Sequence, residues 1–263
     1  MSLENKPSNE NYLKKLTQSH YDSRPLDLDT DSRFKSFREE RYVGKIFSER
    51  KIRGRVIDVG CGAGVLSSYI KKQYGVKKIY AGDLSLESLK KAKERGLIAI
   101  NLDNLFLPFK SSTAEVVISG GVIHHTPAPR KAFSELARIT KKGGEMWLAV
   151  YNKNHLYFYL YNYVGGLFRN LKENFLERFI TNYIAFSLYY CSYYILQIIV
   201  RKNLNPMPHA QAVNMFHDTF LTPVASFHTF GEIESWAKEQ GFHTVSKRTE
   251  VAGQMLSFRF KKI

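Results

Sequence analysis

The sequence predicts an α/β fold: a doubly wound, mostly parallel sheet of seven strands whose last strand is antiparallel, with a helical insertion. Three observations carry that prediction. Short apolar runs alternate with amphipathic stretches through the first half of the chain. The first run ends in a glycine-rich turn, and two strand-like segments close the sequence. Alternation of strand and helix patterns implies parallel strands joined by crossover helices.

Residues 1–50 are polar and proline-punctuated, with Phe34, Phe37, Tyr42, Val43, Ile46 and Phe47 spaced as on an amphipathic helix. They are expected to form an N-terminal helical cap. Residues 51–152 are expected to form the core. Its buried strands read as 56–60 (VIDVG), 79–83 (IYAGD), 97–103 (LIAINLD), 115–121 (EVVISGG) and 145–151 (EMWLAVY). Residues 153–208 break the pattern: they are rich in Tyr, Phe, Leu and Ile, and 179–200 contain no charged residue. Residues 209–263 return to the core through a helix at 230–240, stopped by Gly241. Two strands follow at 242–250 and 255–263, close enough to pair as an antiparallel hairpin at the sheet edge.

A composition that is 44% hydrophobic and 24% charged excludes disorder, collagen and repeat arrays, and 263 residues suit one domain with an insertion. The net charge of +15 makes phosphates, anionic headgroups or acidic substrates worth weighing without choosing among them. Two cysteines, Cys61 and Cys191, are too few for a disulfide scaffold or a cysteine-ligated metal cluster. The polar start MSLENKPSNENYLKK lacks a secretory apolar stretch, so a cytoplasmic location is expected.

The strongest chemical signal is Asp58-Val59-Gly60-Cys61-Gly62-Ala63-Gly64, which joins a buried strand to a helix. Glycines there let the backbone approach a ligand that a Cβ would push away. The third glycine comes one position earlier than in the dinucleotide fingerprint, and an acid stands two residues before the first. The second strand ends in Asp83, placed to accept hydrogen bonds from ribose hydroxyls. Together these features point to a nucleoside-containing cofactor.

With these motifs, residues 54–152 resemble the class I S-adenosylmethionine-dependent methyltransferases, in particular the UbiE-like branch with small-molecule and lipid acceptors. The resemblance implies a Rossmann-like core that binds S-adenosylmethionine and releases S-adenosylhomocysteine. It places Gly60, Cys61, Gly62 and Gly64 at the methionine part, with Asp58 orienting the loop. It gives Asp83 to the ribose, Leu84 to the adenine face, and Asp103 with Asn104 to the adenine amino group ahead of Leu107-Pro108-Phe109. Gly120, in Ser119-Gly120-Gly121, would pass the reacting methyl. His124 and His125, in Val122-Ile123-His124-His125, would face the acceptor, and Lys141-Lys142-Gly143-Gly144 looks like the family's turn before strand five. Glu115 and Lys142 depart from the usual Asp and Pro at structural positions. The absence of an Asp/Asn-Pro-Pro-Tyr motif after strand four argues against methylation of nucleobase amines.

Methyl transfer from a sulfonium needs alignment and exclusion of water, and an oxygen acceptor also needs a base. His124 or His125 suits that role by intrinsic pKa. Tyr21, Tyr151, His217 and His228 are expected at the substrate. The insertion is a lid, a dimer contact or a membrane-surface contact: it has the length of a bilayer span, but Thr181, Asn182, Ser187, Ser192, Gln197 and many tyrosines make it less apolar than one. Arg178, Arg201 and Lys202 at its ends would suit an anionic surface. The expected function is O-methylation of a small-molecule or lipid-like acceptor, without a metal. An RNA methyltransferase and a non-catalytic cofactor-binding subunit are the alternatives, nucleic acid being disfavoured by the lack of an appended binding module.

Overall fold

A computed structural model describes residues 9–23, 54–166, 169, 179, 183, 186–201, 209–250 and 253–263. The helix-like positions Phe34 to Phe47, and the insertion's Arg178, Thr181, Asn182 and Lys202, lie outside the described residues.

The chain forms two compact units. The first comprises Met1–His155 with Val224–Ile263, and the second Leu156–Pro223. In the first unit, seven strands run in the order β3-β2-β1-β4-β5-β7-β6. They are β1 (Val56–Val59), β2 (Ile79–Asp83), β3 (Ile98–Asn101), β4 (Ala114–Gly120), β5 (Thr140–Tyr151), β6 (Phe242–Glu250) and β7 (Met255–Lys262). The five expected core strands pair in parallel, and β7 runs antiparallel between β5 and β6. The expected hairpin is present, and the sheet is the Rossmann-like one of the expectation. Residues 141–144 form an irregularity inside β5 rather than a turn before it: the β4 register jumps between Ala114 and Val116, and Gly143 has φ 72°.

Helices α1 (Asn9–Ser23), α2 (Val65–Gln73), α3 (Leu86–Glu94), α4 (Pro129–Ile139) and, beyond the second unit, α5 (Phe230–Glu239) complete the first unit. The strands β1, β2, β4 and β5 carry mostly buried side chains because helices cover a sheet of this kind. One hydrophobic cluster joins Ile57, Val59, Val117, Leu148 and Phe258 to Phe133 and Leu136 of α4 and Trp236 of α5. Each such burial contributes about 1.5–3 kcal/mol. Ser85 caps α3 by accepting the Ser88 N–H, and Thr229 caps α5 by accepting the Glu232 N–H.

The second unit is helical. Leu156–Tyr159 continues into a π-turned stretch, Leu160–Gly165; a helix covers Phe186–Arg201; and His209–Phe216 continues into a second π-turned stretch, His217–Leu221. Tyr157 and Tyr161 donate their hydroxyls to the Thr219 and Thr222 carbonyls, and Arg169 lies over the Tyr161 ring. Leu156, Tyr159, Tyr163 and Leu188 are exposed. No described helix is long and apolar enough to cross a membrane.

Candidate functional site

The sheet order reverses between β1 and β4, and the carboxyl ends of these strands flank the crevice where open α/β sheets bind ligands. After β1, Gly60, Gly62 and Gly64 all adopt positive φ. A Cβ on Gly60 would lie 2.3 Å from the Val122 side chain, so the missing side chain is what lets the β1 turn and the β4 turn close on each other. Helix α2 begins at Gly64 without a side-chain cap, leaving its first amides to another partner.

Three acids hold this turn and its surroundings. Asp58, buried in β1, accepts the Ser67 hydroxyl at 2.6 Å and so ties the strand to α2. Asp83 accepts the Gly62 N–H at 2.8 Å through one carboxylate oxygen and the Ser85 N–H at 2.9 Å through the other. Desolvation pushes the Asp83 carboxyl up, and these backbone amides pull it back. Asp103 accepts the Leu105 N–H at 2.9 Å and the Lys14 ammonium at 2.5 Å, with Asn104 in the turn that follows. The Leu84 carbonyl accepts from Gln18 and from Asn101. Desolvation, then Asp58 and Asp83, keep the Cys61 thiol protonated. Gly120 has no room for a side chain, because its Cβ would lie 2.6 Å from the Trp147 ring.

The ends of β4 and β5 carry a different chemistry. His124 and His125 form a short 3-10 turn after β4, both buried. The His124 ring lies 3.8 Å from that of Tyr151 and 4.3 Å from that of His125, and neither of its nitrogens has a partner among the described residues. Desolvation lowers its pKa well below the imidazole value, and His125 and His228 add to the effect. The ring is neutral at pH 7. His125 Nδ1 is 2.7 Å from the Val224 carbonyl, which can only accept, so a proton sits on Nδ1. Tyr21 of α1 meets the His125 ring edge-on at 5.9 Å. Phe227 stacks on Tyr151 at 5.5 Å, and His228 donates its N–H to the Tyr151 carbonyl.

Of the sequence-derived candidates, the first unit brings together Asp58, the three turn glycines, Cys61, Asp83, Leu84, Asp103 and Asn104 on one side of the crevice. It gathers Gly120, His124, His125, Tyr21, Tyr151 and His228 on the other. His217 belongs to the second unit, where its ring meets Phe216 edge-on. Sequence reasoning missed Lys14, Gln18, Val224 and Ser226. The first two had only their helical spacing as a signal, and the last two had none.

Residues 57–148 match the family model described as a methyltransferase domain. Those residues carry a methyltransferase domain, in a sheet with the fold of S-adenosylmethionine-dependent enzymes. Its cofactor is S-adenosylmethionine, and the donor set fits that molecule: a carboxylate with spare lone pairs at the β2 end, a second acid at the β3 end, and an uncapped helix start beside the glycine turn. The probable tRNA methyltransferase 9B of Homo sapiens is 32% identical over 112 residues, which take in 41% of this chain and 24% of that protein. The chain thus spans about a quarter of that relative's length. The malonyl-[acyl-carrier protein] O-methyltransferase of Herminiimonas arsenicoxydans is 32% identical over 102 residues, 39% of each chain. Magnesium protoporphyrin IX methyltransferase of Synechocystis PCC 6803, solved with bound SAH, superposes with a TM-score of 0.57 at 14% identity, covering 97% of this chain and 98% of that one. At that identity the likeness is one of fold.

Proposed function

We propose that this protein methylates an oxygen of a small-molecule or lipid-like acceptor, leaving S-adenosylhomocysteine. The observation that carries the reading is the group of imidazoles at the β4 and β5 ends, on the acceptor side of the crevice, two of which are held by hydrogen bonds, His125 to the Val224 carbonyl and His228 to the Ser226 hydroxyl. An oxygen acceptor loses a proton as it gains the methyl, and neutral imidazole takes up a proton in that range. The cofactor supplies a methyl already activated on a sulfonium, which leaves as a neutral thioether.

On this reading Asp83 holds the ribose with the lone pairs its amide partners leave. Leu84 lies on the adenine, and Asp103 with Asn104 receives the adenine amino group. Gly60, Cys61, Gly62 and Gly64 line the methionine part, Asp58 fixes the turn through Ser67, and Gly120 keeps the backbone close to the methyl. His124 packs and stays neutral, whereas His125 and His228 can accept a proton. Tyr21 and Tyr151 frame the acceptor's approach.

The exposed Tyr159, Tyr163 and Leu188 of the second unit support an acceptor with apolar character or a membrane-surface contact by that unit. The net charge of +15 favours RNA as the competing substrate class. Transfer of labelled methyl from S-adenosylmethionine to separated lipid, small-molecule and RNA fractions of a cell extract tests the reading. Label in the lipid or small-molecule fraction is expected, and label confined to RNA contradicts it.

A further inference from the structure

Residues 224–232 hold three side chains in a row. Ser226 Oγ lies 2.8 Å from His228 Nε2, and Glu232 Oε1 lies 3.1 Å from His228 Nδ1. A carboxylate near Nδ1 favours the ring proton there, without the alignment of a hydrogen bond in this structure, and leaves Nε2 to accept the Ser226 hydroxyl, which also lies 3.3 Å from the His124 carbonyl. Hydroxyl, imidazole and carboxylate in that order form the arrangement by which proteins draw a proton from an oxygen. Helix capping accounts for Thr229 and the start of α5 but requires neither a histidine before the cap nor a serine two residues earlier.

The row is anchored at the acceptor side of the crevice. Ser226 donates its N–H to the His124 carbonyl at 2.8 Å, His228 donates its N–H to the Tyr151 carbonyl at 2.9 Å, and Lys153 returns an N–H to the His228 carbonyl. His228 is buried while Ser226 is half-buried, so the row has one buried end and one that a ligand can reach. A base that gains a proton becomes a cation and needs an anion beside it. His124 is fully buried without a partner to its ring nitrogens among the described residues, and His125 Nδ1 bonds the Val224 carbonyl. His228 has a carboxylate.

We propose that Ser226, His228 and Glu232 form the proton relay for the methyl acceptor. The acceptor oxygen gives its proton to Ser226 Oγ as Ser226 passes its own to His228 Nε2, and the resulting imidazolium is held against Glu232. The inference rests on the methyl-transfer reading and names the residues that complete it. His125 then acts by holding Val224, and with it the relay segment.

Besides Glu232, the charged or titratable groups acting on His228 are Lys153 from the end of β5 and His124 from the turn after β4, with the Trp236 ring of α5 edge-on at 5.2 Å. Desolvation and Lys153 lower the His228 pKa and Glu232 raises it. Removing the carboxylate therefore moves His228 further down.

The test uses the full chain, labelled S-adenosylmethionine and the lipid or small-molecule extract fraction that takes up label. Ser226→Ala and His228→Gln should each lower the initial rate at pH 7 about tenfold or more. The double variant should be no slower than His228→Gln, because the two act as one unit. Binding of S-adenosylhomocysteine by calorimetry should change less than twofold in all three. Glu232→Gln should shift the acidic limb of the rate profile to lower pH. Additive losses, a parallel loss of cofactor affinity, or an acidic limb that disappears in His125→Gln but survives in His228→Gln would overturn the relay. Nitrogen-15 NMR of histidine-labelled protein reads the relay without any acceptor. A bare Nε2 on His228 at neutral pH, with a midpoint that falls in Glu232→Gln, supports it, and a proton on Nε2 refutes it. Failure of every fraction to take up label would instead count against the methyl-transfer reading alone.

Discussion

The two sides of the crevice are built by opposite means. On the β1–β2 side, carboxylates hold nearby groups across short distances in sequence: Asp83 reaches the Gly62 and Ser85 amides, and Asp58 reaches the Ser67 hydroxyl. On the β4–β5 side, contacts join residues about a hundred positions apart: the His125 ring bonds the Val224 carbonyl, and the Ser226 N–H bonds the His124 backbone carbonyl. The first arrangement is charged and local, as suits a cofactor of fixed chemistry. The second centres on a His124 ring kept neutral by burial and depends on the tertiary fold, which lets the acceptor site vary while the cofactor site stays the same.

The largest expected effect lies on the charged side. Asp83→Ala removes two charge-assisted hydrogen bonds to the glycine turn together with the proposed ribose contact. Affinity for S-adenosylhomocysteine should fall at least a hundredfold by calorimetry, at about 1.5–3 kcal/mol for each such bond. An unchanged dissociation constant would break the assignment of this side to the cofactor. Gly60→Ala comes next, since it forces a side chain into positive φ and onto Val122. A loss of about 2–4 kcal/mol in denaturant unfolding is expected, partly restored by adding Val122→Ala.

The neutral side should show itself in the pH dependence of stability. Burial lowers the ionisation of His124 and His228, so below about pH 6.5 the unfolded chain binds protons that the folded chain does not. Stability should be full above that pH and fall as the solution is acidified through it. In His124→Phe the loss of melting temperature between pH 7.5 and 5.5 should be smaller than in the wild type, with His228 supplying the remainder. An identical slope would show that the His124 ring is not held neutral by the fold.

How much of this was readable beforehand follows the same division. The strands at 56–60 and 79–83, the three glycines and Asp83 were legible because their signals are local: an apolar run, a φ requirement, and an acid at a strand end. The role of His125 was only half legible. The sequence places it after β4, but its tautomer is set by Val224, and no pattern within either segment predicts that contact. Lys14 was hidden for the same reason. Its spacing marks a helix and does not say that its ammonium reaches Asp103. Gly120 was read as a ligand position, and packing against Trp147 requires a glycine there in any case.

The smallest effect sharpens the comparison where the two sides meet α1. Lys14 occupies one oxygen of Asp103 in a partly exposed ion pair, a contact worth about 0.2–1 kcal/mol. Lys14→Met should free that oxygen and tighten S-adenosylhomocysteine about two- to threefold in calorimetry. Weaker binding would mean that the ammonium supports the cofactor site instead of competing for it.

The most direct test of the division measures cofactor affinity and methyl transfer side by side in His125→Gln. The account predicts transfer to the labelled extract fraction at least tenfold slower, with the S-adenosylhomocysteine dissociation constant within twofold of the wild type. Equal loss of both would contradict it, because the imidazole side would then be part of the cofactor site.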